Sequence, residues 1–394
     1  MKWTSWLLAP TAVILLSATA ATPVRADDRD DTNQANRYEV TKLTSNISGQ
    51  AENTDPVLQN AWGVAFTPGA SPFWIADNAT GCSTLYDGAG VPQPVTPKPL
   101  QVKIPLPGNN VPTTACKPVD PSHPPSPTPA APTGMVWNPT ATFLVPGTTI
   151  PATFIWATEE GTISAWASTI PDTSHAVEAV NNSPSSVYKG LVFGTNVHGV
   201  FLFATDFRGG KIDVFAGNSS TGFRSATSTE ISGSFTDPAL PAGFAPFGIQ
   251  NINGNLFVTY ALQNAAKHDD VAGPGNGFVD VYDTDGNLLQ RFASRRPLNS
   301  PWGVTRASFA FGRFNGDILV GNFGDGQINA FDSDGNFRGT LRDNKGKPIA
   351  LDGLWTLTLG GGRNSNSDTL YFTAGPNGET DGLFGTITPS LKSP

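Results

Sequence analysis

The sequence predicts an all-β chain closed into a six-bladed β-propeller, and three observations carry that prediction. Gly and Pro, 42 and 34 of the 394 residues, punctuate short apolar runs. No long amphipathic run has the helical period. A residue pair ending in Gly and leading into an apolar strand recurs at "AWGVAF", "PTGMVW", "YKGLVF", "PFGIQN", "PWGVTR" and "LDGLWT". These six occurrences lie roughly 50–70 residues apart, the spacing of blades in a ring of repeats.

The elements follow in order. The first strands begin around Gly63, Gly134, Gly190, Gly248, Gly303 and Gly353. Second strands are "FWIADN", "FIWATEE", "FLFATDF", "LFVTYA", "ILVGNF" and "LYFTAG". Third strands are "STLYDG", "TISAWA", "KIDVFA", "FVDVYD", "QINAFD" and "GLFGTI". Five repeats add a looser fourth strand, "LLQRFA" at 288–293 and "FRGTLR" at 337–342 among them. The sixth ends in "TPSLKSP", too Pro-rich for a strand. Its fourth strand is therefore expected from the N-terminal side, "RYEVTKL" at 37–43, whose alternation suits a half-exposed edge. Using both chain ends in one blade leaves no open edge. The propeller is placed at 37–388 and a tail at 389–394.

Ahead of it, Lys2, a short apolar stretch and small residues before "TPVRAD" read as a secretory signal peptide over 1–26. The apolar run falls short of the ~20 residues a membrane span needs, and no later stretch is long enough. The polar residues 27–36 read as a mobile leader. A Pro-rich insertion at 108–132, between the first two repeats, lacks amide donors and reads as a stiff surface loop. Secretion puts the two cysteines in an oxidising compartment, where a Cys82–Cys116 disulfide would pin that loop. A net charge of −8 with few charges overall argues against nucleic acid and anionic membrane surfaces as partners. A monomer is expected.

In such a ring, the residues preceding each first strand and the loops between second and third strands share one face. Asn60, Asp77, Glu159, Asp206, Asn322 and Asp352 all fall there. Converging carboxylate and amide oxygens suit a hard cation such as Ca²⁺, which takes six to eight oxygen ligands. Asp and Asn also favour turns for their own sake. Blade four replaces the short turn by a long loop, 261–277, and long loops on rigid scaffolds often carry function. Within it, His268, Asp269 and Asp270 are candidates for proton transfer, with Lys267 as a ligand contact. Trp62 and Trp302 either stack on a sugar or pack between blades. His123, His175 and His198 lie in the insertion, a polar turn and the opposite face. No nucleophile elbow, zinc-type helix motif or phosphate-binding Gly loop is present.

"NTDPVLQNAWGVAFTP", "KHDDVAGPGNGFVDVYD", "LNSPWGVTRASFAFGRFNGDILVGNFGDGQINAFD" and "LDGLWTLTLGGG" with "LYFTAGPNGETDGLFG" resemble a family of secreted, functionally uncharacterised six-bladed propellers found mainly in bacteria. More distantly the chain is similar to NHL-repeat and gluconolactonase-like propellers, some of which hold Ca²⁺ at the channel mouth and hydrolyse lactones or phosphotriesters. The resemblance implies the fold and a secreted location, and no activity. Two functions stand from different classes. One is a module binding a small molecule, a glycan, a peptide or an envelope component, favoured by the lack of a catalytic motif. The other is a calcium-dependent hydrolase, lactonase- or esterase-like, or a lyase, with its site at the channel mouth.

Overall fold

The computed structural model describes residues 35–390 apart from Ala70, Pro97 and Ser219. The signal peptide at 1–26, residues 27–34 of the leader and residues 391–394 of the tail lie outside the described residues. Strands β1 (Tyr38–Ser45) and β2 (Asn53–Thr54) come first. Blade one is β3 (Ala61–Ala65), β4 (Phe73–Asp77), β5 (Cys82–Tyr86) and β6 (Gln101–Lys103). Blade two is β7 (Pro132–Trp137), β8 (Phe154–Thr158), β9 (Thr162–Trp166) and β10 (Val177–Asn181). Blade three is β11 (Tyr188–Asn196), β12 (Gly199–Asp206), β13 (Lys211–Asn218) and β14 (Gly222–Ser225). Blade four is β15 (Phe244–Ile252), β16 (Asn255–Leu262), β17 (Phe278–Tyr282) and β18 (Leu288–Ser294). Blade five is β19 (Pro301–Arg306), β20 (Ile318–Asn322), β21 (Ile328–Phe331) and β22 (Phe337–Thr340). Blade six contains β23 (Leu354–Leu359), β24 (Leu370–Ala374) and β25 (Leu383–Pro389), and β1 completes it. No helix among the described residues is long and apolar enough to cross a membrane.

The ring closes as its chain ends require. β1 runs antiparallel to β25 from Tyr38 opposite Pro389 to Ser45 opposite Leu383, with a bulge between Lys42 and Thr44. Tyr38 is 1% exposed, stacks on Phe311 of the β19–β20 connection at 4.9 Å and donates its hydroxyl to the Phe311 carbonyl at 3.0 Å. The N-terminal strand therefore ties blade six to blade five as well as filling its edge.

The repeated Gly has a packing cause. A Cβ on Gly63 would lie 2.4 Å from the Thr133 carbonyl oxygen, and one on Gly303 would lie 2.4 Å from that of Trp355. Each first strand thus runs against the backbone of the next blade's first strand, too close for a side chain. Blade six departs from the pattern. Gly353, matched to this position by sequence, instead serves a turn ahead of β23 with φ +66°. The equivalent place is Thr356, whose hydroxyl donates to the Trp62 carbonyl at 2.8 Å and joins the last blade to the first.

The residue before that close approach points to the ring's axis. In four blades it is aromatic, namely Trp62, Phe247, Trp302 and Trp355. Trp62 and Trp355 stack with centroids 3.5 Å apart, Trp302 meets both edge-on, and Phe323 stacks on Trp355 at 4.0 Å. Such pairs add about 1 kcal/mol each beyond their area. This collar closes the axis, and past it the first strands line a channel cavity of about 330 Å³.

The Pro-rich insertion makes no sheet strand between Ile104 and Ala131, only isolated bridges such as Leu106 with Asn110. Cys82 and Cys116 form a disulfide with Cα atoms 5.0 Å apart. Gln59, just ahead of β3, then clamps the segment, accepting from Val119 N at 2.6 Å and donating to its carbonyl at 3.0 Å.

Candidate functional site at the channel mouth

Above the aromatic collar, five blades contribute polar side chains to one cluster. Asn60, leading into β3, adopts φ 47° and places its amide on the axis. Its Nδ2 donates to Asn78 Oδ1 at 3.1 Å and to Glu379 Oε2 at 2.7 Å, while its Oδ1 accepts from Trp355 Nε1 at 2.8 Å. Asn78 donates onward to Glu159 Oε2 at 3.2 Å. Glu159, in the β8–β9 turn, pairs with the ammonium of Lys189 on β11. Lys189 is 2% exposed, and its Nζ lies 3.8 Å from Asp269 Oδ1 and 5.2 Å from the Trp62 ring centre. Asp269 in turn holds His268 Nδ1 at 2.7 Å.

The blade-four loop is built to present that pair. Asn264 N donates to the Asp269 carbonyl at 2.8 Å, Asn264 Oδ1 accepts from His268 N at 3.1 Å, and Val271 N returns to the Leu262 carbonyl at 2.7 Å. Lys267 sits at the exposed tip with φ 53°, serving the turn. The loop therefore folds back on itself and sets His268 and Asp269 over Glu159 and Lys189.

Charge is distributed unevenly among these groups. The Asp269 hydrogen bond raises the His268 imidazole above its ordinary value against the opposing effect of burial. The same bond holds Asp269 below the usual carboxylate range. Burial pushes Asp270 up, and its Oδ2 is buried without a protein partner. Burial, with the Glu159 charge second, pushes Glu379 up to about 7. Glu379 also sits at φ 68°, a left-handed conformation that costs a non-Gly residue of order 1 kcal/mol and recurs at functional sites. Beside the cluster opens a cleft of about 600 Å³, bounded by Glu159, Glu160, Arg208, His268 and, from the insertion, Thr128 and Pro129. The insertion is thus a wall of the site.

Of the six oxygen ligands expected from sequence, only Asn60 and Glu159 reach this cluster. Asp77 is fully buried inside blade one, near the Tyr86–Asp55 hydrogen bond of 2.9 Å, and burial lifts its carboxyl well above the usual range. Asp206 accepts from Ser186 Oγ, Val187 N and Gly209 N at 2.9, 3.1 and 2.9 Å. Asn322 donates to the Pro297 carbonyl at 3.0 Å and to Asp325 at 3.1 Å. Asp352 accepts from Asn377 N at 2.8 Å. Asp206 and Asn322 thus bond within their own turns, the competing physics of such short side chains, Asp352 serves the β24–β25 loop, and Asp77 makes no turn hydrogen bond at all. Trp62 is 1% exposed within the collar, so a sugar cannot reach its ring, and Trp302 belongs to the same collar.

Calcium fits poorly at this mouth. It needs six or more oxygens around one point, whereas here a lysine ammonium stands at the centre of the carboxyl groups. Lys189 and Glu379 are the members that sequence reasoning missed. By sequence alone Lys189 shared its repeat position with the charged Asp352 before Gly353, and it stands out only once Trp355 is recognised as the sixth collar residue.

No family profile matches the chain. Uncharacterized protein R648 of Acanthamoeba polyphaga mimivirus is 30% identical over 356 residues, covering 89% of this chain and 80% of its own length. The chain belongs to its family. A second mimivirus relative, uncharacterized protein L690, is 30% identical over 357 residues, covering 89% and 85%. These relatives are viral, where the sequence reading expected mainly bacterial ones. Among solved structures, a streptogramin B lyase aligns over 90% of this chain and 98% of its own, with 12% identity and a TM-score of 0.46. A putative gluconolactonase aligns over 89% and 92%, with 12% identity and a TM-score of 0.47.

Proposed function

We propose that the protein is an acid–base enzyme, a hydrolase or lyase acting on a small polar molecule at the channel mouth, working in an oxidising compartment outside the cytoplasm. The observation that carries the reading is the His268–Asp269 pair, joined at 2.7 Å and seated against Glu159 and the buried Lys189 beside an open cleft. Holding Nδ1 leaves Nε2 as the ring atom that meets a ligand. Because Asp269 raises its proton affinity, His268 is suited to give the Nε2 proton to a departing oxygen or nitrogen. Glu379, near 7, is suited to take one from an attacking water or a substrate carbon. Lys189 supplies a fixed positive charge for an anion forming between them. Perturbed groups gathered in a cleft favour function over mere structure. The Cys82–Cys116 disulfide supports the compartment.

A panel of lactones, carboxylic esters and β-elimination substrates, assayed with the wild type and His268→Ala, tests this. Loss of turnover by 10²-fold or more with unchanged melting is expected. Equal turnover in both proteins would remove His268 from the chemistry. A second reading, capture of a glycan or peptide without turnover, is favoured by the cleft wall that Thr128 and Pro129 add. It predicts ligand-dependent melting shifts with no product.

A further inference from the structure

Lys189 occupies the place that the repeat gives to Trp62, Phe247, Trp302 and Trp355 in other blades. Blade two has Thr133 there, whose hydroxyl is used on the Tyr188 carbonyl at 2.9 Å. Blade three alone puts a charge at the collar position. The stem of Lys189 lies in the collar, with Nζ 5.2 Å from the Trp62 ring centre and 6.0 Å from that of Phe207. Its head pairs with Glu159 and lies 3.8 Å from Asp269, and its charge is felt by Asp270 and Glu379. Four carboxyl groups from blades two, four and six thus surround one buried ammonium.

Two of these carboxylates and the neighbouring imidazole are of the types that ligate metals. Ligand atoms of Glu159, His268 and Asp269 all lie within 4.8 Å of one another. A divalent ion among them would stand at ion-pair distance from the ammonium and be repelled at short range in a poorly solvated site. A buried ammonium is itself costly unless paired, so the carboxyl groups and the aromatic faces are what keep it there.

We propose that Lys189 is the site's built-in cation, a tethered charge holding the place of a divalent ion, so that the native mouth refuses divalent metals and loss of the ammonium converts Glu159, His268 and Asp269 into a metal site. The proposal rests on the channel mouth being the functional site, but it is tested without any substrate. In the enzymatic reading, it makes turnover independent of chelators.

The test uses chelator-treated protein titrated separately with Mn²⁺, Zn²⁺ and Ca²⁺, followed by calorimetry and thermal melting. Wild type is expected to show no saturable site and no shift in melting. Lys189→Met keeps the apolar stem and removes the charge. It is expected to gain one Mn²⁺ or Zn²⁺ site and a metal-dependent rise in melting temperature, both lost again when Asp269→Asn is added. Should the Met variant not fold, Lys189→Gln, which keeps a hydrogen bond to Glu159, takes its place with the same expectation. A saturable site in wild type that disappears with Asp269→Asn would overturn the proposal, as would a folded Lys189 variant that still refuses metal. If the metals behave as expected and no substrate is turned over, the enzymatic reading fails and this one stands.

Discussion

Glu379→Gln isolates the electrostatics of the mouth from its shape. The amide keeps the acceptor that Asn60 Nδ2 uses at 2.7 Å and keeps the left-handed backbone at φ 68°, but it cannot ionise. Burial, then the Glu159 charge, raises the Glu379 carboxyl from 4.5 to about 7, while the Asn60 hydrogen bond and Lys189 oppose the rise. A group with a raised folded-state value prefers its protonated form when folded. Its contribution is therefore full below 4.5, falls as the pH climbs from 4.5 to about 7, and is lost above that. At about 1.4 kcal/mol per pH unit, the wild type loses about 3 kcal/mol across this window through this one group. Urea unfolding of both proteins from pH 4 to pH 8.5 measures it. The two should be nearly equal in stability near pH 4.5, the Gln variant should pull ahead through neutrality, and the gap should level off at about 3 kcal/mol. A gap that does not change with pH, or a wild type that is the more stable at pH 8, would refute the reasoning.

Two further outcomes follow from the architecture. Cys82→Ser opens a covalent loop with a sequence separation of 34 and is expected to cost up to about 4 kcal/mol by chain entropy, read as a lower urea midpoint. A chain beginning at residue 46 lacks β1 and leaves β25 as an open edge, so it should melt well below the full-length protein and aggregate. Unchanged melting of that shorter chain would mean β1 does not close the ring.

The fold was legible because its repeat is imposed by backbone contact. Gly63 and Gly303 stand out in sequence for the same reason that they matter, since the neighbouring first strand leaves no room for a Cβ. The closing strand could be inferred from what the last repeat lacked. The one slip, at Gly353, arose because a turn Gly and a packing Gly read alike, and Thr356 had taken over the joint. The site was legible only in part. His268, Asp269 and Asp270 announced themselves through an unusually long loop, and Asn60 and Glu159 through their place in the repeat. Asp77, Asp206, Asn322 and Asp352 shared that place, but sequence does not say whether a short polar side chain will serve the axis or its own turn. Glu379 was hidden because its partner Asn60 is 319 residues away and meets it only when the ring closes. Lys189 was hidden inside a motif read for its apolar strand.

The most direct test of the channel-mouth site follows the four histidines by NMR across pH 4 to 9, with His268 assigned by its loss in His268→Gln. If the mouth is the coupled acid–base cluster described, His268 titrates above the ordinary imidazole value of 6.5 and drops when Asp269→Asn removes the carboxylate. A His268 that titrates at its ordinary value and ignores that substitution would contradict the account at its centre.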